Sequence, residues 1–328
     1  MNVIKASSSS LNLRITHILV AFLLMQGAVF PAPPQKNKSD FGGTLAYIRA
    51  FEGRDAVFVK DATSENVIFT CDDENEIILT PAISRDGKHI SFVVDDGRNH
   101  KTVHLLGPIE KHQDKWQADD SIIIVIRGGA WPLYAGNQNF FLAMPDQASL
   151  EMQTTTHIFQ IKEEEILQVS DTRGISNHIR PLLNPEADRI VYREISIDDT
   201  TDWGAPAVRS IIQELETGAT SSHFENQEVF LEQWIANGEI LFSYKMNDRE
   251  GNRVYSLYDP VSGGKREIYT NVSRQGSLTS DLRYLATIRQ IPAGGAQYDI
   301  IVADLVEKTE QNLTQTKQLS ESLIGWLK

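Results

Sequence analysis

The sequence predicts an all-β fold: a six-bladed β-propeller of four-stranded blades, closed by one C-terminal and three N-terminal strands. Three observations predict it. Tight-turn signals between apolar, β-branched runs recur at intervals of about fifty residues, the shortest about 43. Short strand candidates fill the intervals, with almost no run of helical period. The incomplete strand sets at the two ends of the chain complement one another. A repeat of this length suits a blade of four strands and is too long for most helical repeats.

In chain order, Lys5 and Arg14 precede an apolar run over residues 15–30. At about sixteen residues it falls short of the roughly 20 needed to cross a bilayer, so residues 1–30 are expected to be an export signal, or else an N-terminal anchor that tethers the chain to a membrane. Residues 31–41, which include P-A-P-P-Q-K-N-K-S-D, form a polar, proline-rich linker. The propeller is expected over residues 42–328. Gly42-Gly43 is followed by strand candidates at 45–48, 56–59 and 67–70, three strands lacking a first partner.

The clearest unit is T-P-A-I-S-R-D-G-K-H-I-S-F-V-V-D, residues 80–95. Asp86-Gly87 supplies a turn in which glycine takes positive φ without a Cβ clash, and the run from Ile90 is β-branched and aromatic. Turns of the same kind follow at Gly136-Asn137, Pro185-Glu186, Asn237-Gly238 and Ser280-Asp281. Further strands follow each hairpin: 101–106; 157–161 with 166–169; 209–215; 253–258 with 266–270; and 298–305 with 311–314. Residues 322–328 then offer one strand with no chain left to continue it. Pairing it with 45–48 leaves no unpaired edge at either end.

The 80–95 unit resembles the TolB-type propeller repeat, whose pattern runs roughly P-x-W-S-P-D-G-K-x-I-A-F. Leu-Asn-Pro-Glu and Leu-Thr-Ser-Asp stand at the same place in other units, with Trp234 and Trp326 where the family often has tryptophan. The resemblance covers residues 42–328. It implies six or more blades and an exported setting, and the repeat occurs both in binding proteins and as the propeller of oligopeptidases.

Chemistry is sparser. The formal net charge of −13, with no clustered cationic stretch, argues against a nucleic-acid partner. Cys71 is the only cysteine, which excludes an intrachain disulfide and a cysteine metal cage. There is no G-x-S-x-G elbow, no H-E-x-x-H and no phosphate loop followed by a helix. His89, His104 and His157 fall on strands as structural histidines, while His100 and His178 come nearer the loop face. The acidic runs 72–74 and 163–165 lack calcium-loop spacing.

The loops between second and third strands emerge together on one face in a propeller, and they carry Arg54, Arg98, Trp203, Asp248 and Arg249. Trp203, in S-I-D-D-T-T-D-W-G-A-P-A, has no strand face to bury it. It either plugs the channel mouth or anchors a partner. The expectation is a monomeric, non-catalytic binding or scaffold module of the cell envelope, without cofactor, recognising a protein or peptide partner through these loops. The alternative is a metal-assisted lyase or glycan-active enzyme with its site in the axial channel.

Overall fold

A computed structural model of the protein describes residues 41–98, 100–126, 128–145, 155–163, 165–170, 175–201, 204–248, 251–291, 297–315 and 321–328. The expected export segment, all of the expected linker except Phe41, Trp203 and Arg249 lie outside the described residues. Within them the chain forms 26 strands and no helix.

Pairing divides the strands into four-stranded antiparallel units. The second unit contains β4 (Ile77–Ile83), β5 (Ile90–Asp95), β6 (Lys101–Leu106) and β9 (Asp120–Ile126), with a separate hairpin, β7 (Glu110–His112) and β8 (Lys115–Gln117), inserted before its last strand. The third has β10 (Ala130–Gly136), β11 (Asn139–Pro145), β12 (Thr156–Lys162) and β13 (Glu165–Gln168). The fourth has β14 (Ser176–Leu183), β15 (Arg189–Thr200), β16 (Pro206–Glu214) and β17 (Thr220–His223), and one parallel pair, Thr156 with Asn177, joins it to the third. The fifth has β18 (Val229–Trp234), β19 (Ile240–Lys245), β20 (Arg253–Tyr258) and β21 (Lys265–Asn271). The sixth has β22 (Arg274–Leu278), β23 (Tyr284–Ile291), β24 (Gln297–Asp304) and β25 (Thr309–Asn312). The first unit is shared between the two ends: β26 (Glu321–Leu327) pairs with β1 (Thr44–Phe51), followed by β2 (Arg54–Lys60) and β3 (Glu65–Thr70). The expected closure is therefore present, with Leu45 opposite Trp326, Tyr47 opposite Leu323 and Ile48 opposite Ser322.

The central strands read as continuous apolar runs because both of their faces are covered, as in I-S-F-V-V of β5. Each successive pair of units shares one hydrophobic cluster. Val57 and Val59 meet Ile90 and Phe92 between the first and second units, and Val93 and Val103 meet Leu142 between the second and third. Phe141 meets Tyr192, Ile212 meets Leu231, and Tyr255 meets Leu285 at the next three junctions. The last cluster joins Tyr284, Ala286 and Ile300 of the sixth unit to Leu45, Phe58 and Trp326 of the first. The sequence of clusters thus returns to its start, which is the packing of a closed propeller.

Three strand features depart from the sequence expectation. β9 completes the second unit 13 residues after β6 ends, because the β7–β8 hairpin intervenes. The short, largely exposed β17 completes the fourth. The inserted hairpin itself lies across the β2–β3 turn, where Asp61 collects hydrogen bonds from the Thr63 and Ser64 amides (2.7 Å each), Lys111 Nζ (2.7 Å) and Trp116 Nε1 (3.1 Å). Burial works to raise the Asp61 carboxyl, but these bonds, Lys111 foremost, outweigh it and hold the group well below the usual carboxylate range. Because the folded group is the stronger acid, its contribution is complete above the unfolded value of about 4 and is lost as pH falls below it. Asp61→Asn should cost about 1.5–3 kcal/mol in urea unfolding at pH 7. The gap from wild type should narrow below about pH 4; a gap independent of pH would contradict the assignment.

Candidate functional site

Every innermost strand carries a β-bulge at the same level. The extra residue lies between Leu79 and Ala82, Ala130 and Leu133, Ile179 and Leu182, Leu231 and Gln233, Arg274 and Gly276, and Leu323 and Gly325. Thr80, Trp131, Arg180 and Gln275 take positive φ there, at 47°, 52°, 55° and 49°. The first three precede Pro81, Pro132 and Pro181, and a proline suits a bulge because it brings no N–H to the broken ladder. Bulge side chains also bind the next unit. Thr80 Oγ1 accepts from the Trp131 amide (2.8 Å), Glu232 Oε2 from the Gly276 amide (3.3 Å) and Gln275 Oε1 from the Leu323 amide (3.3 Å). Bulges re-aim side chains, and those of Arg180, Glu232, Gln275 and Ile324 line the space enclosed by the innermost strands.

Two cavities occupy that space. The larger, about 470 Å³, is walled by the C-terminal halves of the innermost strands and the turns after them, including Arg85, Trp234, Asp281 and Trp326. The smaller, about 330 Å³, lies toward the N-terminal ends of β14, β18, β22 and β26 and includes Arg180, Phe230, Arg253, Arg274, Tyr298 and Glu321 in its wall. Glu232 lines both, so it stands where they meet.

The smaller cavity is strongly cationic for so acidic a chain. The Phe230 ring gathers three guanidinium groups, Arg253 at 4.3 Å, Arg180 at 5.2 Å and Arg193 at 5.7 Å from its centroid, and Arg274 lies 4.8 Å from the Tyr298 centroid. Cation–π attraction offsets part of the repulsion among like charges. None of the four arginines forms a salt bridge among the described residues. Arg193 donates to the Val229 carbonyl (2.8 Å), and burial together with neighbouring Arg180 lowers its pKa. Arg253 donates to Ser243 Oγ (2.9 Å), which donates to Glu232 (2.5 Å). Burial raises the Glu232 carboxyl above its usual range despite that bond and the charges of Arg253 and Arg180. Glu321, the other carboxylate in the wall, faces Arg49 at 3.7 Å.

The loop residues singled out from sequence are placed differently. Arg54 and Arg98 both approach the segment leading from β3 to β4: Arg54 donates weakly to the Asp72 carbonyl (3.5 Å), and Arg98 lies close enough to act on the Asp73 carboxyl. Asp248 is exposed and caps its own turn, accepting from the Gly251 and Asn252 amides at 2.6 and 3.0 Å. None of these three lines either cavity. Sequence reasoning missed Arg180, Phe230, Arg253, Arg274 and Tyr298, although the X-Pro pairs at 80–81, 131–132 and 180–181, spaced by about fifty residues, mark the bulge that positions Arg180.

The histidines form other structures. His100 is exposed beside Asp96 (3.2 Å), and His104 stacks on Phe92. His157 and His178 meet at 3.3 Å, His178 Nδ1 lies 2.8 Å from Ser170 Oγ, and its Nε2 lies 3.7 Å from Glu194. Contact with His178, and then Arg209 at 2.7 Å, holds the Glu194 carboxyl down at about 2. Ser, His and Glu are the residue types of a nucleophilic triad, but Ser170 is 4% exposed, accepts from the Ile158 amide (2.9 Å) and lines neither cavity. This cluster therefore braces the third unit against the fourth. Among the described residues no group of three or more His, Cys, Asp or Glu side chains is placed to hold a metal ion.

No family model and no curated protein matches the chain. Among solved structures it is similar to TolB from Acinetobacter baumannii, with a TM-score of 0.61 and 14% identity, over 99% of this chain and 75% of that one. It is also similar to an oligogalacturonate lyase in complex with manganese (TM-score 0.51, 11% identity, 82% of this chain and 84% of that one). A third is a putative TolB from Agrobacterium tumefaciens (TM-score 0.50, 10% identity, 83% and 90%). At such identities the likeness is one of fold, and the protein is an all-β, propeller-like arrangement of four-stranded sheets with TolB-like structural neighbours.

Proposed function

We propose that the protein is a non-catalytic binding module of the cell envelope that recognises a protein or peptide partner at the mouth of its smaller cavity. One observation carries this reading: Arg180, Arg253 and Arg274, set around Phe230 and Tyr298, face an open cavity without a salt bridge among the described residues. Charges left uncompensated at the cost of folding stability are characteristic of binding sites. Aromatic and arginine side chains are also the residue types that dominate interface energetics. The loop residues Arg54, Arg98, Trp203, Asp248 and Arg249, on the connections between second and third strands that the sequence singles out, would supply further contacts to the partner. The basic and apolar N-terminal sequence supports export.

The test is in-cell photo-crosslinking from a reactive residue at position 274, exposed in the cavity wall, with one at Val261, 85% exposed on a distant strand-connecting turn, as the control. A protein adduct at 274 and none at 261, in the envelope fraction, is expected. Equal adducts at both positions, or none at 274, would refute the reading.

A further inference from the structure

Resting on that reading, we infer that the arginine cluster is a carboxylate-binding subsite and that the segment it takes from the partner is an acidic peptide. The charge of the cavity requires an anion. Three arginines line it, a fourth stands behind Phe230, and the two carboxylates in the wall do not balance them. Glu321 is shared with Arg49, and Glu232 is held by Ser243 and the Gly276 amide. The side chains of Arg180 and Arg274 make no hydrogen bond among the described residues and Arg253 spends one N–H on Ser243, so guanidinium N–H groups beside Phe230 and Tyr298 remain for a ligand.

A carboxylate fits better than a phosphate because the three arginines and two carboxylates that line the cavity leave one positive charge uncompensated. A single carboxylate neutralises it, whereas a phosphate dianion would leave excess negative charge beside Glu232 and Glu321. The remaining wall combines Phe230, Ile288 and the Tyr298 ring, which suit the methylenes of a glutamate side chain, with the polar Gln275 and Ser322, which can meet the peptide chain beyond it. At about 330 Å³ the cavity holds one or two residues rather than a folded domain.

The experiment is calorimetric titration of the folded chain with acetylated, amidated tetraglutamate, tetraglutamine and free glutarate at low ionic strength. Tetraglutamate should bind, tetraglutamine should bind at least tenfold more weakly, and the tetraglutamate affinity should fall steeply with added salt. Arg180→Gln and Arg253→Gln should each weaken tetraglutamate at least tenfold. Arg274→Gln, at an exposed residue whose side chain makes no hydrogen bond among the described residues, guards against misfolding of the other two and should weaken it as well. Arg283→Gln, whose partner Asp304 lies outside the cavity, should leave binding unchanged. Equal binding of tetraglutamine, or wild-type affinity in all three cavity variants, overturns the carboxylate subsite. Glutarate binding as tightly as tetraglutamate overturns the peptide source in favour of a free small acid. A failure of crosslinking at position 274 refutes the partner reading alone, since peptide binding is read on the isolated protein.

Discussion

Removing residues 321–328 should abolish cooperative folding. That segment is the whole of β26, the innermost strand of the first unit, and its loss leaves β1 as an unpaired edge. Leu323, Trp326 and Leu327 are buried, and Trp326 packs against Phe41 and Tyr284 while its Nε1 donates to the Ser277 carbonyl (2.8 Å). At about 2–3 kcal/mol for each large apolar side chain, the three alone approach the 5–15 kcal/mol by which domains are stable. The Lys328 amide, which donates to the Gly87 carbonyl (3.0 Å), is lost as well, so the second unit loses a contact too. Thermal unfolding of the truncated chain should show either no cooperative transition or one lowered by well over ten degrees. A melting temperature within a degree or two of the full chain would refute ring closure.

Tyr255→Ala should be the most damaging single substitution at the site, costing about 3–5 kcal/mol. Tyr255 is fully buried, its hydroxyl donates to the Gln275 carbonyl (2.7 Å) and meets Ser273 (3.0 Å), and its ring lies directly under Gly276. A Cβ on Gly276 would fall 2.5 Å from Cε1 of that ring, so Gly276→Ala should cost about 1–3 kcal/mol through overpacking. Both changes act on the bulge that sets Gln275 and, beside it, Arg274. Tyr255→Phe keeps the ring and removes the hydroxyl, so it should cost only about 1 kcal/mol. Urea unfolding of the three variants checks the order; equal costs for Tyr255→Ala and Tyr255→Phe would mean that the packing under the bulge contributes little.

The hairpins were legible because their turns combine glycine, asparagine, aspartate or proline with apolar strands on both sides, as at Asp86-Gly87 and Asn237-Gly238. Closure was legible because each end of the chain offers an incomplete set of strands. β17 was not: T-S-S-H is polar, short and exposed, so no alternation marks it. β9 is apolar enough, but the inserted hairpin breaks the regular spacing that would have assigned it. The arginine cluster is assembled from β14, β15, β20 and β22, with successive members 13 to 60 residues apart in sequence, around aromatics of β18 and β24. Only the packing of units four to six brings them together, whereas loop residues such as Arg98 stand out in sequence by their polar surroundings.

With the partner identified by crosslinking, equilibrium titration of the wild-type chain, Arg274→Glu and Trp203→Ala tests binding at the cavity mouth most directly. Arg274→Glu should weaken binding at least tenfold, about 1.4 kcal/mol, and Trp203→Ala should weaken it by about 2 kcal/mol or more, both with melting temperatures nearly unchanged. Wild-type affinity in Arg274→Glu would contradict recognition at this cavity, and a large loss of stability in Trp203→Ala would make that residue a plug rather than an anchor.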